Sequence, residues 1–197
     1  MDFWSFLGMG WAHIIDFSAY DHILFITVLC ALFKLTEWRK ILVIVTAFTI
    51  GHSITLALSA FNIVFIPVKI VEILIPATIV ITALSNILQK KQNLAKTFDR
   101  NVRKNYLIAL LFGFIHGMGF ASNFKFLLGD DQNIVAELLA FNLGIELGQL
   151  LIVLCILCTY FLLNRIFRIV HREWNLFLSG AGFGVGLILF FTNLLEK

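Results

Sequence analysis

Six ionisable side chains lie inside long apolar runs of this chain: Asp21, His22, His52, Glu72, His116 and Glu146. His13 stands just ahead of the first run. A charged side chain at the centre of a membrane helix costs at least ~2.5–3.5 kcal/mol, so each of these residues calls for a partner or a function. Taken singly, each has a plain structural role open to it. A lone His can hydrogen-bond a neighbouring helix, Asp21 can cap the run it opens, and Glu72 can be protonated and hydrogen-bonded. Taken together, three imidazoles and three carboxylates make a donor set for a divalent transition metal. Imidazole suits Zn, Cu, Fe and Ni, and carboxylates offset the charge of the cation. Without a metal, the same residues could relay protons. Asn142 and Gln149 flank Glu146 and Ser53 follows His52, as hydrogen-bonding neighbours that would hold ligands in place.

The elements that must position these residues follow from composition. Sixty per cent of the 197 residues are hydrophobic and only 14% are charged, too few to clothe a soluble domain of this size. Apolar runs long enough to cross a bilayer recur along the chain. The reading is an all-α, polytopic transmembrane bundle forming one domain over 1–197, with about six spans near 19–34, 41–61, 66–88, 105–124, 134–163 and 174–194. The fifth run is long enough to tilt or to project from the membrane. The segment from Phe3 to Asp16 is apolar and aromatic but too short to span, which suggests an interfacial or re-entrant piece. The start, Met1-Asp2-Phe3-Trp4, lacks the basic region of a secretory signal. Cys155 and Cys158 form a C-x-x-C without a second pair, and with Cys30 they read as packing residues.

Charge sets the orientation. Lys34, Arg39 and Lys40 follow the first span, Lys90, Lys91, Lys96, Arg100, Arg103 and Lys104 the third, and Arg165, Arg168 and Arg172 the fifth. That places twelve of the fifteen basic residues on one side, leaving Lys69, Lys125 and Lys197 on the other. Positive charge stays on the cytoplasmic side, so both termini are expected outside. Trp38 and Trp174 then fall at the inner interface, Trp4 and Trp11 at the outer one. The basic stretch from Gln89 to Lys104 suits anionic lipid, and nothing in it suggests nucleic-acid binding.

Depth then becomes informative. At ~1.5 Å per residue, His52, His116, Glu72 and Glu146 lie roughly 9–18 Å below the outer surface, and Asp21 and His22 enter the same level from the first span. Five helices therefore bring His or carboxylate to one slab. The pairs His52…Glu72 and His116…Glu146, each His preceded by a Phe four residues earlier, hint at an internal repeat with the site between its halves. Gly113/Gly117, Gly144/Gly148 and the run Gly180, Gly182, Gly184, Gly186 are small-residue seams. They serve packing within the chain or, alternatively, a homo-oligomer.

Four segments carry a family resemblance: Gly10-Trp11-Ala12-His13 with Tyr20-Asp21-His22-Ile23-Leu24-Phe25; Thr46-Ala47-Phe48-Thr49-Ile50-Gly51-His52-Ser53-Ile54-Thr55-Leu56; Phe112-Gly113-Phe114-Ile115-His116-Gly117-Met118-Gly119-Phe120-Ala121; and Phe141-Asn142-Leu143-Gly144-Ile145-Glu146-Leu147-Gly148-Gln149. In order and in register, they resemble the motifs of the HupE/UreJ family. The resemblance implies a small bacterial inner-membrane protein associated with nickel or cobalt uptake, often for hydrogenase or urease. It also implies a site of His13, Asp21, His22, His52, Glu72, His116 and Glu146. Two departures stand out. The family places five residues between the first His and Asp-His, whereas seven separate His13 from Asp21, which leaves His13 either in the ligand set or in an outer loop above it. Pro76 follows Glu72 by one turn and predicts a kink that could open a cavity.

Two functions fit these residues. The first is a permease for a divalent ion, Ni, Co or Zn, loaded from the outer face. No ATP-binding motif is present, so coupling falls to membrane potential, protons or gradients. Asp130 and Asp131 could concentrate cations there, though a solvated loop is the better reading of them. The alternative is an intramembrane zinc hydrolase, with three His and a carboxylate on the metal and one open position for water. No HExxH occurs, so a zincin-type protease is not supported. The alternative draws support from the inner half, where a permease needs an exit and the polar residues are mainly Thr82, Ser85, Asn86 and Thr159.

Overall fold

The computed structural model describes residues 2–16, 20–64, 66–89, 98–128 and 134–196, with backbone alone for 98–104, 122–123 and 125–128. The described residues are all-helical: α1 (Phe3–Ile15), α2 (Asp21–Ala31), α3 (Trp38–Ala60), α4 (Val68–Leu88), α5 (Phe98–Leu128), α6 (Ile134–Phe167) and α7 (His171–Leu195). Residues Lys90–Lys96 and Asp130–Asp131, assigned above to lipid attraction and cation capture, lie outside the described residues. Helices starting at Leu35, Val68, Ile134 and His171 are long and apolar enough to cross a membrane alone. Asp21–Ala31 and the Asn105–Ala121 part of α5 are apolar but shorter.

Local chemistry explains the ends. Asp2 caps α1 by accepting the Ser5 amide at 3.0 Å. Glu37 and Glu173 reach back to the amides of Lys34 and Val170 ahead of α3 and α7, at 3.1 and 3.0 Å. Asn62 (φ 57°) and Arg168 (φ 55°) take the left-handed conformation that ends α3 and α6.

The glycine seams hold helices inside the chain. A Cβ at Gly51 would strike the Leu110 carbonyl, and one at Gly113 the Phe48 carbonyl. One at Gly117 would overlap Thr55 and His52. These contacts set α3 and α5 side by side, running the same way. Gly10 meets Phe141 and Gly144 meets Leu7, so α1 likewise runs alongside the first half of α6. Helices α4 and α7 are antiparallel: Lys69 bonds the Glu196 carbonyl at one end, and Arg172 bonds that of Ile87 at 3.0 Å at the other. Gly182 and Gly186 pack on Val28 and Val80, whereas Gly180 and Gly184 face open space.

The first span differs from the expectation of 19–34. Helix α2 has only 11 residues, and α1, expected at the interface or as a re-entrant piece, lies lengthwise against α6. His13 in the last turn of α1 is 4.8 Å from His22 in the first turn of α2, so the two meet end to end. At ~1.5 Å per residue they add up to roughly 36 Å, against a hydrocarbon core of about 30 Å. Beyond α2, the Leu32 carbonyl lies 3.2 Å from His171 Nε2, at the end of the bundle that carries Lys34, Arg39 and Arg172. His171, outside the spans expected from sequence, opens α7 and is half-buried. Both chain ends lie at the opposite end, with Phe6 against Phe124 and Glu196 beside Lys69.

Helix α4 continues through Pro76, which lines a cavity together with Glu72. Proline has no N–H for the Glu72 carbonyl one turn back, and Asn193 Nδ2 supplies that bond from α7 at 2.6 Å. Trp174, two residues beyond Arg172 at the basic end, is buried against Tyr160, with ring centroids 5.4 Å apart. Of the cysteines, Cys30 is buried, while Cys155 and Cys158 lie exposed on the α6 surface and so are not packing residues.

Candidate metal centre

Four imidazoles converge where the two half-helices meet. His13 and His22 come from the facing ends of α1 and α2, His52 from α3 and His116 from α5. Ring centroids are 4.8 Å apart for His13–His22, 5.8 Å for His22–His52, 6.0 Å for His13–His52 and 5.4 Å for His22–His116. One nitrogen each from His13, His22 and His52 falls within a mutual 4.8 Å. Nitrogens sharing a tetrahedral metal lie roughly 3.4 Å apart, given bonds of about 2.1 Å, so modest side-chain rotation closes the set. The glycine seam between α3 and α5 is what permits this approach, because it brings the His52 and His116 backbones together.

The second nitrogen of each ring decides what the first can do. His22 Nδ1 lies 3.1 Å from Asp21 Oδ1, and His116 Nδ1 lies 2.9 Å from the Phe112 carbonyl. Both acceptors fix the Nδ1–H tautomer and leave Nε2 with a free lone pair. Nε2 of His13, His22 and His116 and both nitrogens of His52 are buried without a protein partner. Leaving a buried polar group unsatisfied costs about 1–3 kcal/mol, and the cost is offset when the lone pairs coordinate a cation. Neutral imidazoles with free Nε2 atoms and one adjacent carboxylate fit a borderline divalent metal.

Aromatic layers close the site on two sides. Phe48 and Phe112 precede His52 and His116 by one turn, and Phe25 follows His22 on the oppositely running α2, so all three lie toward the basic end. Phe25 and Phe48 stack at 5.0 Å and lie 5.1 and 5.0 Å from the His116 ring. Phe112 meets Phe25 edge-on at 5.7 Å. On the other side Phe120 lies 4.1 Å from the His13 ring and stacks on Phe141 at 5.2 Å. These layers were missed in the sequence reading. Their trace was the Phe four residues before His52 and before His116.

The carboxylates named from sequence are distributed differently. Asp21 is in the site through His22. Glu72 is exposed and lines a separate cavity of about 240 Å³ with Tyr20, Asp21, Pro76 and Asn193. Glu146 accepts a 2.6 Å hydrogen bond from Thr46 on α3. Gln149 accepts one from Thr49 at 2.6 Å, and Ser53 donates to the Thr49 carbonyl at 2.7 Å. Asn142 donates to Leu138 within its own helix. The structure thus gathers His13, His22, His52, His116 and Asp21, and gives Glu72, Glu146, Asn142, Gln149 and Ser53 other partners or surroundings. His13, which the long spacing might have lifted into an outer loop, is in the cluster.

The chain matches the family model described as HupE / UreJ protein over residues 1–194. Comparison with curated proteins and with solved structures gives no match.

Proposed function

Because the chain belongs to the HupE/UreJ family, we propose that it is a membrane permease for a divalent transition-metal ion, with nickel or cobalt as cargo. The observation that carries this reading is the set of four imidazoles with buried, partnerless nitrogens where α1 meets α2. In a bilayer, a broken helix is tolerated where its ends are buried in protein or line a path. The cation enters with His13 at the outer lip, loses water to His22, His52 and His116, and has one unit of its charge balanced by Asp21. A site rich in neutral donors binds firmly enough to strip water and weakly enough to release, which a transport site requires. Glu72 and Asp21 in their shared cavity form the approach from the outer face.

The positive-inside rule puts the basic end in the cytoplasm and both termini outside, in the inner membrane of a bacterium. Exposed Gly180 and Gly184 supply the face for a second copy if the protein assembles. The intramembrane zinc hydrolase is the weaker reading, because Phe25, Phe48, Phe120 and Phe141 occupy the space that a substrate would need.

The test is binding and uptake by the full chain, in nanodiscs and in proteoliposomes, with Ni, Co and Zn compared. One ion bound per chain, with flux into the lumen, is expected. His52→Ala should weaken binding more than tenfold and stop flux. Unchanged stoichiometry and affinity in both His52→Ala and His116→Ala would refute the shared site. Tight zinc binding without flux would favour the hydrolase.

A further inference from the structure

The polar residues of the inner half, which looked too sparse for an exit, converge on one cavity. A space of about 280 Å³ between α2, α4 and α5 has a polar strip of Thr82, Ser85, Asn86, Gln89 and Asn105 on a wall that is otherwise apolar, formed by leucine and isoleucine side chains and Phe112. Thr82, Ser85 and Asn86 come from α4, Gln89 is its C-cap, and Asn105 faces them from α5. Thr159, the remaining polar residue of that half, is exposed on α6 and takes no part.

The cavity is placed for release. Phe112 lines it and also meets Phe25 edge-on at 5.7 Å, and Phe25 lies 5.1 Å from the His116 ring. One aromatic layer therefore separates the cavity from the imidazoles. Its wall is anchored: Asn86 Nδ2 donates to the Val28 carbonyl at 2.8 Å and meets Ser179 at 3.2 Å. Arg172 holds the Ile87 carbonyl at 3.0 Å, beside the cavity's basic end. Hydroxyl and amide oxygens are hard, weak donors for a cation leaving imidazole, so they suit rehydration better than retention.

We infer that this cavity is a water-filled release vestibule for the divalent cation, gated from the imidazole site by Phe25, Phe48 and Phe112. The inference rests on the permease reading. It gives that reading the exit which the sequence lacked.

The experiment has two arms on the full chain. First, Ser85→Cys and Asn105→Cys, with Cys155 and Cys158 replaced by alanine, are exposed to a charged, membrane-impermeant thiol reagent in inside-out vesicles. Both should react within about tenfold of the rate of a cysteine in an exposed loop, while Leu154→Cys on the apolar face of α6 stays unlabelled. Silence at both positions would mean the cavity holds acyl chains, and would overturn the vestibule. Second, Ser85→Phe and Thr82→Phe fill the cavity. Each should retain metal binding at unchanged stoichiometry and lower proteoliposome flux at least tenfold. Full flux in a filled variant that still binds metal would overturn the exit and leave the permease intact. Absence of binding and flux in the wild-type chain would instead remove the permease reading, and the exit with it.

Discussion

Among the four imidazoles, the hold on the second nitrogen differs, and that sets what each contributes. His116 is held by a backbone carbonyl, which no substitution removes, whereas His22 is held by a side chain, Asp21. Asp21→Asn keeps the shape, loses the charge and offers an amide that can turn either oxygen or N–H toward His22. Partners of this kind typically set metal affinity by 10–100-fold. Asp21→Asn should therefore weaken Ni or Co binding by about that factor without changing the number of ions bound, as isothermal titration calorimetry would show. An affinity equal to wild type would mean that Asp21 does no more than accept the His22 amide in the first turn of α2. The imidazoles were legible in sequence because an ionisable residue in an apolar run announces itself. Glu72 and Glu146 were equally conspicuous, yet Glu72 lies exposed in a separate cavity and Glu146 bonds Thr46. Counting residues along a helix fixes height at ~1.5 Å per step, but the 100° turn per residue leaves the facing direction to packing. Counting gave Glu146 a height, and the α3–α6 interface turned it to Thr46.

Elements carry the site through two seams and one break. The α3–α5 seam depends on Gly51, Gly113 and Gly117, each directed at backbone or short side chains that cannot move aside. Gly113→Val would drive its side chain into the Phe48 carbonyl, one turn from His52. Overpacking of this kind costs typically 1–3 kcal/mol. Here it should also separate His52 from His116, so metal affinity should fall by more than tenfold along with a lowered thermal midpoint. Gly184→Val, facing open space, is the control and should leave both unchanged in the monomer. A Gly113→Val protein with wild-type affinity would show that the seam does not set the imidazole spacing. The seams were visible as small-xxx-small pairs, although sequence could not say whether they joined helices within the chain or between copies. The break was not visible. Neither α1 nor α2 reaches the roughly 20 residues that a span needs, and their end-to-end stacking depends on the Gly10–Phe141 and Gly144–Leu7 contacts, more than a hundred residues apart.

At the scale of the whole molecule, the imidazoles lie between Phe120/Phe141 on one side and Phe25/Phe48/Phe112 on the other, with a cavity holding Asp21 and Glu72 toward the chain ends and one holding Asn86 and Asn105 toward the basic end. A cation in that position is shut off from both surfaces, so passage requires the two aromatic layers to part in turn. On the permease reading, and with no ATP-binding motif in the sequence, the driving force would be the membrane potential itself. Each elementary charge crossing 100 mV gains about 2.3 kcal/mol, so a dication moving to the negative side gains roughly 4.6 kcal/mol. At about 1.4 kcal/mol per tenfold, that supports an accumulation on the order of a thousandfold. Proteoliposomes given an inside-negative potassium diffusion potential should accordingly take up Ni or Co faster and further than unpolarised ones, and an inside-positive potential should suppress uptake. Collapsing a pH gradient should leave the initial rate unchanged, because the dication carries its charge across uncompensated. If uptake ignored potential but vanished with the pH gradient, two protons would be leaving for each cation entering. Asp21 and the imidazoles would then be the proton carriers, and the site would work as an exchanger.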